Sequence, residues 1–197
     1  MPPLGITPSQ TVGPYFTIVL GQEGQSIVAG PGVPGTRIRV EGHVFDGDRN
    51  PIDDALIDVW QANAAGRYRH PVDTRDELPL DDGFTGSGAA ATAFQTGLWT
   101  FDTIKPGAVP DPNGGMQAPH LNVVVQARGM LMPSFTRVYF SDDVEQHAGD
   151  LILSMVPPAR RHTLIATLTT PGGEGDAPVY LFDIKFQGDD ETVFFDL

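Results

Sequence analysis

Turn-forming residues occur along the whole chain and limit the folds open to it. The 197 residues include 23 glycines and 18 prolines, a combined share well above the roughly 12% of an average protein. Helix interiors tolerate these residues poorly, so the pattern disfavours a helical bundle and favours short strands joined by shaped loops. The 40% hydrophobic content is enough to bury a core. The sequence therefore predicts an all-β fold, a single-domain β-sandwich with long loops.

Alternating apolar residues identify the strands. At residues 37–44 the pattern R-I-R-V-E-G-H-V places Ile38, Val40 and Val44 on one face. Residues 120–127 are strongly apolar, as in a central strand. The predicted strands are 37–44, 56–60, a hairpin over 92–103, 120–127, 135–140, 161–170 paired with 179–187, and 192–197. Long loops are predicted at 61–91 and 105–119, with short helical segments at 151–154 and 159–161.

The first 35 residues differ in composition from the rest of the chain. They are rich in glycine and proline and carry few strand signals, so an irregular segment is predicted. An extended arm of this length needs a surface to lie on, either its own domain or a partner. We expect residues 1–35 to form an N-terminal arm that packs on a partner chain, and residues 36–197 to form the β-sandwich domain.

The charge balance is strongly acidic. The 25 acidic residues outnumber 12 lysines and arginines, which gives a net charge of −13. Nucleic acids and anionic membranes would be repelled, so neither is expected as a partner, although a local basic pocket remains possible. Cysteine is absent, which excludes disulfides and thiolate sites and fits a reducing compartment. With no recognisable leader and no long apolar stretch, we expect a cytoplasmic protein.

Two stretches carry the most specific patterns in the chain. The first reads D-V-W-Q-A-N-A-A-G-R-Y over residues 58–68, and the second combines K-P-G at 105–107 with A-P-H-L-N at 118–122. Together with T-P-S-Q-T-V-G-P-Y-F at 7–16 and R-R-H-T-L-I-A at 160–166, they resemble the intradiol ring-cleavage dioxygenases over nearly the whole chain. Glycine-rich phosphate motifs and the G-x-S-x-G elbow do not occur.

The resemblance implies a ferric ion held by two tyrosines and two histidines, because hard Fe(III) favours phenolate oxygen. Tyr68 matches the first tyrosine and His120 the first histidine. Val109 occupies the second tyrosine position and Asn122 the second histidine position, and Gln117 stands where the family has an arginine. The resemblance therefore implies that this chain holds no metal by itself, and that its remaining tyrosine and histidine are vestigial.

Some members of this family consist of two homologous chains, of which only the beta chain keeps the iron ligands. This chain resembles the other, the alpha chain. The resemblance then implies a hetero-oligomer in which a partner beta chain holds Fe(III), and which opens protocatechuate with O₂ to 3-carboxy-cis,cis-muconate. It implies no catalytic residue in this chain. The implied substrate-binding residues are Thr11, Gly13, Pro14 and Tyr15 of the arm, and Arg128.

Two alternatives remain open from the sequence. One is a self-sufficient dioxygenase with an altered metal site, against which Val109 and Asn122 stand. The other is a non-catalytic β-sandwich binding module that shares only the fold, since one fold hosts unrelated functions. Retention of Arg128 argues against the second, because a guanidinium suits the ring carboxylate of protocatechuate.

Overall fold

The structure is a computed structural model that describes residues 5–13, 15–22, 24–173 and 175–196. Strands predominate in these ranges, and the predicted all-β fold is confirmed. The strands are β1 (Arg37–Phe45), β2 (Leu56–Trp60), β3 (Ser87–Ala91), β4 (Leu98–Ile104), β5 (Val109–Pro110), β6 (Met116–Gln117), β7 (His120–Gln126), β8 (Ser134–Phe140), β9 (Ile165–Thr170), β10 (Val179–Leu181) and β11 (Ile184–Lys185). The helices are α1 (Phe16–Leu20), α2 (Val144–His147), α3 (Leu151–Met155) and a 3-10 helix at Pro158–Leu164. None of the helices in the described ranges has the length and apolar character needed to traverse a bilayer.

One large mixed sheet curls around the core. Its strands follow the order β11-β1-β10-β9-β8-β7-β2-β3. Strand β4 lies off this path and pairs antiparallel with β1. Strands β3, β2, β7 and β8 are antiparallel neighbours, whereas β1 runs parallel to β10 and β11. Strands β5 and β6 form a separate two-stranded ribbon. The two halves of the sheet therefore enclose one core, as in a sandwich.

The main core confirms the alternation that was read from the first strand. Ile38, Val40 and Val44 of β1 all point inward and are at most 1% exposed. Among the aromatic side chains packed with them, Phe84, Trp99, Phe101 and Phe140 are at most 1% exposed. A smaller cluster around Tyr139 and Leu164 holds the helical segment against β8. The predicted short helical segments are present at that place.

Two predictions for the region between residues 86 and 103 are wrong. Residues 87–91 form β3 rather than the end of a loop, because they pair with β2 along their whole length. Residues 92–103 are not a hairpin, because β3 pairs with β2 while β4 pairs with β1. The small residues of β3 carry no strand signature. They are required because the N-terminal segment crosses the strand: a Cβ on Gly88 would lie 2.5 Å from the carbonyl oxygen of Gln25.

The N-terminal segment packs partly on this chain's own domain. Val28 and Ala29 are fully buried in the main core, and Val33 is nearly so. The backbone N–H of Val28 donates to the carbonyl oxygen of Asp102 in β4 at 3.0 Å. The division into arm and domain at residue 35 stays a prediction, and residues 1–4 of the arm lie outside the described residues.

Gly42 of β1 allows a close approach of the neighbouring backbone and provides a test of the fold. A Cβ there would lie 2.6 Å from the carbonyl carbon of Phe182. The backbone N–H of Phe182 donates to the carbonyl oxygen of Glu41 at 2.8 Å. Since backbone must shift, we expect Gly42→Ala to lower the free energy of unfolding by about 1–3 kcal/mol in urea denaturation. In the control Gly173→Ala the Cβ meets no atom within 4 Å, and the change should stay within about 0.5 kcal/mol. Equal losses in the two variants would contradict this packing.

Candidate functional site

The predicted vestigial positions meet at one end of β2 and β7. Strand β7 presents His120 and Asn122 on the same face, because side chains alternate along a strand. Tyr68 reaches them from the turn after β2. Asn63 shapes this turn, since its side-chain oxygen accepts two backbone N–H groups at 3.1 and 2.9 Å. Val109 of β5 is 5% exposed on the adjacent ribbon, and it lines the same cavity as Tyr68.

Hydrogen bonds join Tyr68, His120 and Asn122. Nδ1 of His120 lies 2.7 Å from the carbonyl oxygen of Ala118, which only accepts, so Nδ1 carries the proton and donates. Nε2 is therefore the acceptor for the Tyr68 hydroxyl at 3.4 Å. The Asn122 amide donates to the Tyr68 hydroxyl oxygen at 3.3 Å and to the Trp60 carbonyl oxygen at 3.4 Å. The polar atoms of this group thus bind one another and the backbone.

Burial keeps the phenol and the imidazole uncharged. His120 is 2% exposed, and its burial, together with the nearby positive charge of Arg137, lowers its pKa to about 4. Burial also raises the pKa of Tyr68 above its ordinary value, against the opposing hydrogen bond from Asn122. At neutral pH the pair consists of a phenol and a neutral imidazole.

This donor set does not fit the ferric site that the resemblance describes. Only Tyr68 and His120 match its four ligands, and Val109 has no donor atom. The amide of Asn122 is turned toward Tyr68 as a hydrogen-bond donor. Within the described ranges there is also no group of three or more His, Cys, Asp or Glu side chains that could hold a metal ion. The chain has two ligands too few for Fe(III).

A second cluster lies at the opposite end of β7. Arg128 follows that strand, and its Nε contacts the carboxylate of Asp54. The side chain of Arg128 is 56% exposed and that of Asp54 14%. The Thr11 hydroxyl oxygen accepts the backbone N–H of Gly129 at 2.8 Å, which anchors the arm beside the arginine. In the part of the chain that the structure describes, neither Nη group of Arg128 has a hydrogen-bond partner.

Gly13 and Tyr15 of the arm lie on the surface. The Gly13 carbonyl oxygen accepts the N–H of Phe16 at 3.3 Å as the chain turns into α1. A Cβ at Gly13 would meet no atom within 4 Å. Tyr15 is 73% exposed, whereas Pro14 lies outside the described residues. A substrate-binding role for these residues stays a prediction.

One strand separates the two clusters. Six residue steps of about 3.3 Å each put His120 and Gln126 roughly 20 Å apart, and Arg128 lies beyond Gln126. A single aromatic ring cannot bridge that distance. The structure therefore places Arg128 and Thr11 in one group and the vestigial iron positions in another.

Sequence analysis missed Arg137 and Asp54. Arg137 lies opposite Asn122 in β8, and its Nη1 donates to the side-chain oxygen of Gln117 at 2.9 Å. The available signal was a single arginine inside the apolar run F-T-R-V-Y-F. Asp54 precedes β2 in a turn, where an aspartate is common, so no sequence signal distinguished it.

The lowered pKa of His120 predicts acid destabilisation. Unfolding restores the ordinary pKa of 6.5, so below that pH the unfolded chain binds a proton that the folded chain takes up only near pH 4. The free energy of unfolding therefore does not depend on the protonation of this group above pH 6.5. It falls by about 3 kcal/mol in total as the pH is lowered from 6.5 to about 4. In urea unfolding, wild type should therefore lose about 3 kcal/mol more than His120→Gln between pH 7 and pH 4.

The control for this measurement is an exposed histidine. His162 has a side chain that is 61% exposed, so His162→Gln should leave the pH dependence of unfolding as it is in wild type. If His120→Gln and wild type lose stability in parallel on acidification, His120 is not a buried neutral group.

Comparisons with known proteins identify the family. A family model described as Dioxygenase matches residues 12–188. The chain is 39% identical to the protocatechuate 3,4-dioxygenase alpha chain of Pseudomonas putida, with 96% of each chain covered. It is also 39% identical to the beta chain of the Burkholderia cepacia enzyme, over 80% of this chain and 67% of that one.

A solved structure shares the fold. It is the dioxygenase domain of a dioxygenase carbohydrate-binding protein fusion from Streptomyces sp. SirexAA-E. The TM-score is 0.61 at 27% identity, with 91% of this chain and 96% of that one covered. The chain therefore belongs to the intradiol ring-cleavage dioxygenase family.

Proposed function

We propose that this chain is the iron-free alpha subunit of a protocatechuate 3,4-dioxygenase. A homologous beta chain holds Fe(III), and this chain completes the substrate pocket at the interface. One observation carries the proposal: the Thr11 hydroxyl oxygen accepts the backbone N–H of Gly129, which sets the arm beside Arg128 at the end of β7 away from the vestigial positions. Arg128 follows a strand whose length puts Gln126 roughly 20 Å from His120, so we assign Arg128 to a substrate that is bound outside its own chain's vestigial positions.

The chemistry of Arg128 supports this role. Protocatechuate carries a ring carboxylate, and a guanidinium binds a carboxylate through two parallel hydrogen bonds. Asp54 contacts Nε, so both Nη groups remain available while the side chain is held in one direction. The Arg128–Asp54 pair is neutral overall, so the attraction of Arg128 for a carboxylate comes from its two Nη groups and not from net charge.

Exposed apolar surface on and beside the arm supports the proposal that a partner chain binds there. Helix α1 buries none of its side chains, and Ile18 and Val19 are 72% and 61% exposed. An open groove beside it crosses β2, β7 and β8 and is lined by Leu56, Val124 and Phe135, among others. Contiguous apolar surface of this kind is typical of protein interfaces.

The proposed complex performs the family's reaction. The ferric ion of the partner supplies chelation of the two adjacent hydroxyl oxygens and activation of the ring toward O₂. The bond between the two hydroxyl-bearing carbons breaks and both oxygen atoms enter the product, 3-carboxy-cis,cis-muconate. In this chain Arg128 orients the ring carboxylate, and Thr11 and Gly13 of the arm close the cavity. A cytoplasmic location, in keeping with the absence of cysteine, is part of the proposal.

Expression of the chain alone and with a candidate beta chain tests the proposal. We expect the isolated chain to be colourless, because it lacks the ligands for a tyrosinate–Fe(III) charge-transfer band. The co-expressed complex should show this band, contain iron and consume O₂ when protocatechuate is added. Stoichiometric iron with turnover by the isolated chain would overturn the proposal and make this chain a complete enzyme.

Substitution of Arg128 tests the substrate contact. In the complex, Arg128→Gln should raise KM for protocatechuate about tenfold or more, because a charged hydrogen bond is lost. KM for catechol, which lacks the carboxylate, should change little. Arg39→Gln is the matched control, because Arg39 is also exposed and also paired with an aspartate, Asp102. Equal changes in KM for the two substrates would remove Arg128 from the pocket.

A further inference from the structure

A cavity of about 540 Å³ lies over the vestigial positions, and we call it the Tyr68 cleft. The residues that matter for its chemistry are Trp60, Tyr68, Val109, Gln117, Asn122 and Arg137. This volume falls in the range of small-molecule binding pockets. The cleft lacks the ligands for iron, but it keeps a polar group, a cation and an aromatic wall.

Arg137 is the cation of the cleft. It is half-buried on β8, and its Nη1 donates to Gln117 at 2.9 Å and to the Tyr139 hydroxyl oxygen at 3.4 Å. Gln117 is fixed in turn, since its amide donates to Asp111 at 2.9 Å. Across the described ranges, no carboxylate forms an ion pair with Arg137 within 4.0 Å. Arg161 also has only neutral partners, but Arg137 lines the cavity, so its guanidinium is placed to bind an anion from outside the chain.

The remaining charges of the cleft cancel. Asp73 and Arg75 also line it, but Nε and Nη2 of Arg75 donate to the two carboxylate oxygens of Asp73 at 2.8 and 2.5 Å. That contact keeps the pKa of Asp73 well below its usual range, so the pair stays ionised and neutral overall. Among the Asp, Glu, Lys and Arg side chains that line the cavity, Arg137 is therefore the one without a partner of opposite charge in the lining, and the carboxylate of Asp111 lies behind it, bound to Gln117.

An aromatic and apolar wall completes the cleft. The Trp60 ring lies 4.5 Å from the Tyr68 ring, centroid to centroid, and 42% of the tryptophan is exposed. Val109 adds aliphatic surface where the family has an iron-binding tyrosine. Flat rings pack well against such a surface, while a carboxylate matches the planar guanidinium.

We infer that the Tyr68 cleft binds a small aromatic carboxylate without a metal ion. The carboxylate pairs with Arg137, and the ring packs on Trp60. This binding goes beyond the proposed function and needs neither the partner chain nor iron. The structure thus assigns a ligand site to the part of the chain that has lost the family's metal ligands.

Tryptophan emission reports this binding directly. The chain has two tryptophans, of which Trp99 is 1% exposed in the core, so a ligand in the cleft changes mainly the emission of Trp60. We expect a saturable change when the full chain is titrated with benzoate. Benzamide, its neutral analogue, should bind about tenfold or more weakly, because the charged hydrogen bonds are lost. Equal affinities for the two compounds, or no saturation with benzoate, would overturn the proposal.

Variants locate the site. Arg137→Gln should weaken benzoate binding about tenfold or more, and Arg137→Lys, which keeps the charge, should bind with intermediate affinity. Arg161→Gln is the matched control, because this arginine is also partly buried with neutral acceptors, the carbonyl oxygens of Ser154 and Val156. It should bind benzoate as wild type does.

The outcome separates this site from the one at Arg128. Benzoate binding that survives Arg137→Gln but disappears in Arg128→Gln would place the ligand at the other end of β7 and refute the inference. Circular dichroism and melting temperatures verify that each variant is folded. If Arg137→Gln does not fold, the comparison of benzoate with benzamide on wild type and on Arg137→Lys still decides.

Discussion

The antiparallel pairing of β2 with β7 is the interaction on which both clusters depend. In its register Trp60 lies opposite Asn122. Odd-numbered residues face inward, with Ile57 and Val123 at most 2% exposed, and their even-numbered neighbours face the open side. A slip by one residue would turn the outward set into the core and destroy the cleft. The same register brings the residues before β2 to the end of β7, where Asp54 contacts the arginine that follows that strand. One pairing therefore supports the core and both candidate sites.

The strands that build this core could be predicted because their own residues carry the signal. Alternation in β1 and the apolar run of β7 reflect burial that each strand achieves along its own length. Residues 87–91 are predicted as loop because their side chains are small. Their size is set by close packing against another segment of the chain and not by the strand's own alternation. A Cβ on Gly88 would lie 2.8 Å from a methyl carbon of Val28, so the strand is shaped by a segment some sixty residues away. Such a requirement is tertiary, and periodicity does not contain it.

In the candidate site, too, some residues could be identified from the sequence, whereas others depend on tertiary structure. Tyr68 and His120 were identified through long motifs that resemble a family, whereas isolated histidines alone pointed to nothing. Arg137 was missed because its importance comes from the register of β8 on β7, which sets it opposite Asn122. Arg128 was named from the resemblance, but only the structure shows that it lies a strand length from the vestigial positions. The sequence contains the residue types, and the fold decides which of them meet.

Loss of the metal ligands has a physical consequence for the cleft that remains. A phenol and an imidazole that are buried without an ion must be neutral and hydrogen-bonded, because unpaired polar groups are costly. The Asn122 amide donates to the Tyr68 hydroxyl oxygen, and Nε2 of His120 accepts a hydrogen bond from that hydroxyl. A positive charge is nevertheless still present, since Arg137 is held beside the cavity by the neutral amide of Gln117. Asn122 and Gln117, which stand where the family has a histidine and an arginine, therefore stabilise the cleft by hydrogen bonds. In this cleft the guanidinium of Arg137 faces an aromatic wall.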